Sequence, residues 1–248
     1  MGLVKAQYVG GMRAARKMLE LVGILNYLER EPVPKTRKWL RSLFSIYDID
    51  DLIYLDMPWW NLDAIDYVDK YLNMFPGARV FEYGSGASSV WFARRAGQVI
   101  SVDHDKPWHD LVVSRLGEYA NAKLMYVPPD DIVDPDVERY GSKKEGWHGR
   151  TFRDYVHAID STDGVFDVVV IDGRCRGTCL EHALVRLSQG GIIVFDNSRR
   201  KRYREAITNS SLLHYDFSGL TACLPYADST TILAKDSAVL ESLQLPGL

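Results

Sequence analysis

The stretch VFEYGSGASS, residues Val80–Ser89, decides the fold of this 248-residue chain. A short apolar run leads into a Gly-x-Gly turn at Gly84 and Gly86, and a helix-compatible sequence follows. Glycine permits a tight turn and allows a ligand to approach bare backbone. The free N–H groups at the start of the following helix favour carboxylate or phosphate. Strand, glycine turn and helix in this order predict the first unit of an α/β sheet.

The rest of the chain continues the alternation of strands and helices. The predicted strands are Arg79–Glu82, Gln98–Val102, Lys123–Val127, Phe166–Ile171, Gly191–Phe195, Leu213–Phe217 and Thr230–Ala234. The predicted helices among them are Ala87–Ala96, Pro107–Tyr119, Leu180–Leu187 and Arg200–Thr208. Continuous apolar strands such as FDVVVI are typical of parallel sheets covered on both faces. We therefore predict a Rossmann-like, doubly wound, mostly parallel seven-stranded sheet with an antiparallel hairpin at one edge, because no clear helix separates the last two strands.

Two segments lie outside this alternation. Residues 1–72 read as helices interrupted by prolines, and Asn61 can cap a helix that runs through Leu72. We expect a helical N-terminal extension at 1–72, belonging to the same domain as a core at 73–248. Residues 128–164 form a polar, turn-rich segment, and loops this long in compact domains are usually functional or disordered. We predict that 128–164 is a substrate loop, and that the N-terminal extension with Trp59 and Trp60 helps to cover the site.

Composition narrows the class of protein. The hydrophobic fraction of 46% and the charged fraction of 25% are those of a globular domain. A net charge of -3 disfavours a dedicated nucleic-acid binder, and no apolar run approaches the roughly 18 residues of a membrane span. Cys175 and Cys179 lack the second ligand pair that a zinc site needs. We expect a cytoplasmic enzyme that acts on a small molecule, with no membrane partner, and a homo-oligomer is compatible with the sequence.

Acidic residues flank the glycine turn on both sides. Asp103 ends the second predicted strand, 17 residues after Gly86, where a carboxylate can accept both hydroxyls of a ribose. A dinucleotide-binding turn would carry a third glycine at the position of Ser89, and Glu82 would repel a pyrophosphate but suits an ammonium group. An oxidoreductase is therefore disfavoured. A glycine turn without any ligand is the simplest alternative.

This pattern, Glu-x-Gly-x-Gly followed by an acid after the next strand, resembles the class I S-adenosylmethionine-dependent methyltransferase family. The resemblance covers roughly Pro76 to Lys235 and implies that S-adenosylmethionine is the cofactor. It also implies that Gly84–Gly86 wraps the methionine part, that Asp103 holds the ribose and that an acid after the third strand, Asp130 or Asp131, contacts the adenine. The cofactor contacts expected on this basis are Glu82, Gly84, Ser85, Gly86, Ser89, Asp103, His104, Asp130 and Asp172.

A second group of polar residues follows the fourth and fifth predicted strands. Asp172 follows FDVVVI, and Asp196 and Asn197 follow GIIVF, so these side chains should converge on one cleft. Their oxygens suit Mg²⁺. The arrangement is similar to the catechol O-methyltransferase-like branch, which implies that Asp172, Asp196 and Asn197 hold a magnesium ion that lowers the pKa of the acceptor hydroxyl. The lysine that serves as base in that branch is replaced by Cys175.

A metal-free interpretation of the same residues stays open. In it Asp172 or His148 takes the acceptor proton and Asn197 orients the substrate. A third interpretation is that Asp196 and Asn197 merely end a strand and cap the next helix. The basic cluster at 199–204 is either a solvated helix face or a contact for an anionic acceptor.

Methyl transfer requires alignment of nucleophile, methyl group and sulfur, with water excluded. We therefore predict O-methylation of a small-molecule hydroxyl, on a sugar or a secondary metabolite, with Mg²⁺ assistance open. The alternatives are an aminopropyltransferase of the same fold and a nucleotide-binding module without catalysis.

Overall fold

A computed structural model describes residues 3–242 and the side chains of residues 7–241. The α-helices that precede the first strand are α1 (Leu3–Leu21), α2 (Ile24–Glu29), α3 (Lys35–Ser42), α4 (Ile49–Tyr54) and α5 (Leu62–Met74). The start of α5 is capped as predicted, because the side-chain oxygen of Asn61 accepts the N–H groups of Asp63 and Ala64. Within the described range, no helix combines the length and the apolar composition that a membrane crossing requires.

The remaining elements form a sheet with helices on both faces. The strands are β1 (Arg79–Tyr83), β2 (Gln98–Asp103), β3 (Ala122–Tyr126), β4 (Phe166–Ile171), β5 (Leu187–Asp196), β6 (Leu213–Gly219) and β7 (Asp228–Ala234). The helices are α6 (Ala87–Ala93), α7 (Lys106–Leu116), α8 (Val137–Tyr140), α9 (Arg153–Val156), α10 (Arg176–Arg186), α11 (Lys201–Asn209) and α12 (Ser237–Ser242).

The strand order is β3-β2-β1-β4-β5-β7-β6. Strands β1 to β5 run parallel to their neighbours, β7 is antiparallel to β5, and β6 pairs antiparallel with β7. This confirms the predicted doubly wound, mostly parallel seven-stranded sheet with an antiparallel hairpin at one edge.

Alternation along the central strands builds two cores. Val168 and Val170 of β4 belong to the core on one face of the sheet, and Val169 and Ile171 belong to the core on the other. All four side chains are fully buried. Burying each one stabilises the fold by about 1.5–3 kcal/mol relative to leaving it exposed, which explains why the strand reads as a continuous apolar run.

The segment 128–164 contains short helices and buried aromatic side chains. It contains α8 and α9, and its aromatic side chains Tyr140, Phe152 and Tyr155 are buried in the second core. The aromatic content that suggested substrate binding is therefore largely structural. The stretch 142–150 is mostly exposed, and a role of the segment 128–164 in substrate binding stays a prediction.

Candidate functional site

The carboxyl ends of β1, β2, β4 and β5 surround one cavity of about 800 Å³. Open parallel sheets bind ligands at this edge. A second cavity of about 420 Å³ adjoins it, shares His104 and Asp105 with it, and reaches Tyr126 at the end of β3 and Trp147. Together the two cavities extend along the carboxyl edge of the sheet from the end of β3 to the end of β5.

The glycine turn after β1 forms part of the cavity wall. Gly84 has φ of 95°, and a Cβ there would lie 3.1 Å from the backbone carbonyl carbon and oxygen of Asp172. Both the left-handed backbone and the lack of space require glycine. The carbonyl of Ser85 accepts the indole N–H of Trp108 at 2.8 Å, so a neighbouring helix fixes the turn.

Asp103 braces this turn from the end of β2. One carboxylate oxygen accepts the backbone N–H and the hydroxyl of Ser85, each at 2.9 Å, and the other accepts the N–H groups of His104 and Asp105. Burial raises the pKa of Asp103, but the hydrogen bonds from His104, Asp105 and Ser85 outweigh it and hold that pKa below its usual value. The cavity therefore has an ionised carboxylate in its wall, at the position predicted for a ribose contact.

His104 lies beside Asp103 in both cavities. Its Nε2 accepts from the Nε of Arg174 at 2.9 Å, and its Nδ1 lies 3.3 Å from a carboxylate oxygen of Asp103. An imidazole that accepts at Nε2 carries its proton on Nδ1. His104 is therefore oriented between an acid and a cation, at the boundary between the two cavities.

Glu82 and Ser89 do not face the cavity. Glu82 is fully buried, and its carboxylate accepts from the hydroxyls of Ser88, Ser89 and Ser101. Burial raises the pKa of Glu82 to about 7 in spite of these hydrogen bonds. Glu82, predicted to contact an ammonium group, instead links β1 to the start of α6 and to β2 through these buried hydrogen bonds. Ser89, also predicted as a cofactor contact, is one of the donors.

The two acids predicted as metal ligands converge on Arg176. The Nη2 atom of Arg176 donates to a carboxylate oxygen of Asp172 at 2.6 Å, and its Nη1 donates to the backbone carbonyl of Asp196 at 2.6 Å. The Asp196 carboxylate, which is 4.0 Å from the guanidinium, accepts from Thr230 and from the Nδ2 of Asn197, each at 2.7 Å. The cation between the two acids is thus supplied by the chain itself.

These residues do not fit magnesium. The guanidinium of Arg176 already compensates the charge of Asp172, and Asp196 is only 3% exposed with its carboxylate in use. Asn197 lines the cavity but turns its amide nitrogen toward Asp196 and Asp228. A magnesium ion needs about six oxygen ligands, and here it would have to displace a positively charged group.

Millimolar Mg²⁺ is expected to leave the unfolding temperature unchanged and to give no saturable heat of binding. The physical reason is the repulsion between a divalent cation and the guanidinium of Arg176, which occupies the space between Asp172 and Asp196. Calorimetric titration measures the binding, and a titration with Ca²⁺ controls for non-specific ionic effects. Saturable Mg²⁺ binding that disappears in Asp172→Asn would restore the metal assignment.

Of the two acids that were predicted as metal ligands, only Asp172 lines the cavity. Its side chain is 32% exposed and lines the cavity, whereas Asp196 does not contribute to the lining. Burial raises the pKa of Asp172, opposed by Arg176 and by a hydrogen bond from Trp60. Burial and the nearby Asp172 raise the pKa of Asp196 to about 8. Asp172 therefore combines access with an increased proton affinity.

Two further predicted residues, in addition to Glu82, Ser89 and Asp196, lie outside both cavities. His148 is exposed on the 142–150 stretch. The carboxylate of Asp130 accepts the backbone N–H groups of Arg153 and Asp154, at 2.9 and 3.2 Å, at the start of α9. Asp130 thus accepts backbone N–H groups in the first turn of a helix. Neither His148 nor Asp130 lies at the cavity in this structure.

Sequence reasoning anticipated only part of the basic lining: the cluster at 199–204, left open as a contact for an anionic acceptor, supplies Arg200 and Arg202. The cations that line the main cavity are Lys143, Lys144, Arg174, Arg176, Arg200 and Arg202. Arg176 lies four residues after Asp172, but this spacing predicts an ion pair only between residues of one helix, and the helix was predicted to start later, at Leu180. Lys143, Lys144 and Arg174 are brought to the same cavity only by the fold.

Comparison with known proteins gives similarities to solved structures only. No protein-family profile matches this chain, and no curated protein sequence matches it. A methyltransferase-like protein from Silicibacter pomeroyi is 21% identical over 71% of this chain and 91% of its own, with a TM-score of 0.44. An rRNA methylase from Streptococcus thermophilus is 10% identical over 70% and 95%, with a TM-score of 0.47. N-methyltransferase NodS from Bradyrhizobium japonicum, in complex with S-adenosylhomocysteine, is 13% identical over 70% and 87%, with a TM-score of 0.41.

Proposed function

We propose that this chain is an S-adenosylmethionine-dependent methyltransferase that methylates a hydroxyl group of a small molecule without a metal ion. The observation that carries the proposal is one cavity that joins three features. These are the bare backbone of the Gly84–Gly86 turn, the ionised Asp103 at the end of β2 and the accessible Asp172 at the end of β4. They supply a cofactor cradle and a proton acceptor within one lining.

The residues present suit the cofactor. The Gly84–Gly86 turn offers backbone for the methionine part, and Asp103 offers a carboxylate for the ribose hydroxyls. The smaller cavity, with Tyr126 and Trp147 in its wall, offers aromatic faces for a purine. When bound, S-adenosylmethionine supplies a methyl group on a positively charged sulfur.

Asp172 is proposed as the general base. A hydrogen bond from Arg176 holds its carboxylate in place at the cavity wall. As the acceptor oxygen forms its bond to the methyl carbon and the carbon–sulfur bond breaks, Asp172 takes the hydroxyl proton and later releases it to water. Trp59 and Trp60, from the N-terminal extension, line the cavity and would help to exclude water.

Neither alternative is favoured by a specific observation. An aminopropyltransferase would bind a polycationic acceptor, and six lysine and arginine side chains line this cavity. A nucleotide-binding module without catalysis would have no use for an accessible carboxylate of raised pKa at the end of β4.

The cofactor assignment predicts tight binding of S-adenosylhomocysteine that depends on Asp103. Asp103→Asn should weaken binding about tenfold or more, because a charged hydrogen-bond acceptor for the ribose becomes a neutral amide. Isothermal titration calorimetry measures the affinity. Asp110→Asn is the matched control, since Asp110 pairs with Lys106 on the exposed surface of α7.

Two results would contradict the assignment. Absence of heat with both S-adenosylhomocysteine and S-adenosylmethionine would refute the proposed function. Unchanged affinity in Asp103→Asn would refute the ribose contact alone. Because Asp103 also accepts from Ser85, the unfolding temperature of the variant is compared with that of the wild type to separate a loss of contact from a loss of structure.

A further inference from the structure

The cavity has two electrostatically different ends. It extends from Asp103 at the end of β2 to Asn197 at the end of β5, which is three strand spacings, or about 14 Å. Asp103 and Asp105 lie at the first end. At the other end, Arg200 and Arg202 approach from the start of α11. The proposed cofactor contacts lie at the acidic end, so the acceptor has to be bound towards the basic end.

Arg200 and Arg202 at the basic end, and Lys143 elsewhere in the lining, have no acidic partner among the described side chains. Among the side chains of residues 7–241, no carboxylate oxygen lies within 4.0 Å of Lys143, Arg200 or Arg202. Arg204, on the same helix but outside the cavity lining, shows the contrast, because its Nη1 lies 2.7 and 2.8 Å from the two carboxylate oxygens of Asp216. Arg202 on this helix and Arg200 immediately before it, which have no acidic partners among the described side chains, thus line the cavity, whereas the paired Arg204 does not.

One aromatic ring gathers three guanidinium groups. The guanidinium carbons of Arg202, Arg176 and Arg200 lie 4.7, 5.6 and 5.8 Å from the ring centroid of Tyr203. Cation–π attraction and a hydrogen bond from Arg202 to the Tyr203 hydroxyl position them. Like charges gathered in this way repel each other, and only Arg176 has a carboxylate partner. A bound anion would remove the repulsion and gain charge-assisted hydrogen bonds.

We propose that the methyl acceptor is a small molecule bearing a carboxylate or phosphate group, and that Arg200 and Arg202 bind this group while Lys143 contributes from the 142–150 stretch. The inference rests on the proposed methyl transfer and names its substrate class. Planar guanidinium groups match carboxylate and phosphate oxygens in a bidentate manner. The acceptor hydroxyl then lies between this anchor and the cofactor, where Asp172 can reach it.

The same cations could serve a nucleic acid, but the rest of the molecule favours a small acceptor. The chain has a net charge of -3, and the unpaired cations line a cavity whose wall also includes Trp59 and Trp60. A nucleic-acid surface would require a basic stripe that contacts several consecutive phosphates. A cavity with basic groups at one end matches a single anionic group.

The test is calorimetric titration of the S-adenosylhomocysteine-saturated protein with inorganic phosphate at constant ionic strength. D-glucuronate and D-glucose form a second, matched pair of probes that differ by one carboxylate. We expect saturable binding of phosphate and of glucuronate in preference to glucose. The double variant Arg200→Gln/Arg202→Gln should lose about tenfold or more in affinity for both anions, because two charged donors are removed.

Arg204→Gln is the control, because it makes the same chemical change on the same helix outside the cavity. Its anion affinity and the S-adenosylhomocysteine affinity of all variants should stay within about twofold of the wild type. Anion binding that is equal in the wild type and the double variant would overturn the inference. So would binding of a labelled single-stranded RNA that requires Arg200 and Arg202 while phosphate and glucuronate do not bind. Failure of S-adenosylhomocysteine itself to bind would refute the proposed function instead.

Discussion

Arg176→Met is expected to destabilise the protein by about 3–5 kcal/mol. The side chain of Arg176 is buried and donates to the carboxylate of Asp172 and to the backbone carbonyls of Asp172, Gly173 and Asp196. Methionine fills a similar volume but leaves two acidic side chains with no cation between them. The free energy of unfolding is measured by urea denaturation.

The destabilisation should depend on pH in a defined direction. The pKa of Asp196 is about 8 in the folded protein, against an ordinary value of 3.8, so its protonated form is favoured by folding. Such a group contributes stability that is fully present below about pH 4 and is lost as the pH rises through about 8. Removing Arg176 raises the pKa of Asp172 and Asp196 further. The defect of Arg176→Met should therefore be larger at about pH 9 than at about pH 5.

Two further variants keep this prediction testable. Arg204→Met removes an ion pair whose partners are both more than a third exposed, and should cost at most about 1 kcal/mol. Arg176→Met/Asp196→Asn removes one of the uncompensated acids and should regain part of the lost stability. If Arg176→Met does not fold, recovery of a folded protein in this double variant provides the test. A defect of under about 1 kcal/mol in Arg176→Met, or one that is the same at all pH values, would contradict the central role of this arginine.

The sequence predicted the sheet well because its central strands β1 and β4 are buried on both faces. In FDVVVI (Phe166–Ile171) every residue except Asp167 is buried, which fits a central strand covered on both faces. The glycine turn at Gly84 and the cap at Asn61 mark where elements begin and end. The start of α10 was predicted at Leu180 but lies at Arg176. Cys175, immediately before the helix, has a left-handed backbone with φ of 47°. Cysteine rarely adopts this conformation, so the sequence does not indicate that the helix starts there.

The site was predicted less well, because strand position does not fix where a side chain points. Asp103 and Asp172 were placed at the cavity by their positions after strands, and both line it. Glu82, one residue before the end of β1, turns away from the cavity toward three hydroxyl groups, which no spacing rule reveals. The pairing of Asp172 with Arg176 depends on a helix start that was itself misplaced.

Asp172→Asn is expected to lower kcat by about 10²–10⁴-fold while leaving the affinity for S-adenosylhomocysteine within about twofold. Asparagine keeps the shape of the side chain and can still accept from Trp60, but it cannot take a proton from the acceptor hydroxyl. The rate of S-adenosylhomocysteine formation, with an acceptor that supports turnover, measures kcat. Asp110→Asn, on the exposed surface of α7, controls for the same chemical change elsewhere.

The pH profile distinguishes a base from a residue that only positions others. Because burial raises the pKa of Asp172, kcat/KM of the wild type should fall as the pH drops through that pKa, where the carboxylate becomes protonated. In Asp172→Asn this dependence should disappear, and the remaining rate should rise with pH only as the acceptor hydroxyl itself ionises. A purely positional role would lower the rate and preserve the wild-type profile. If the variant keeps the profile, or more than about a tenth of kcat, Asp172 is not the general base.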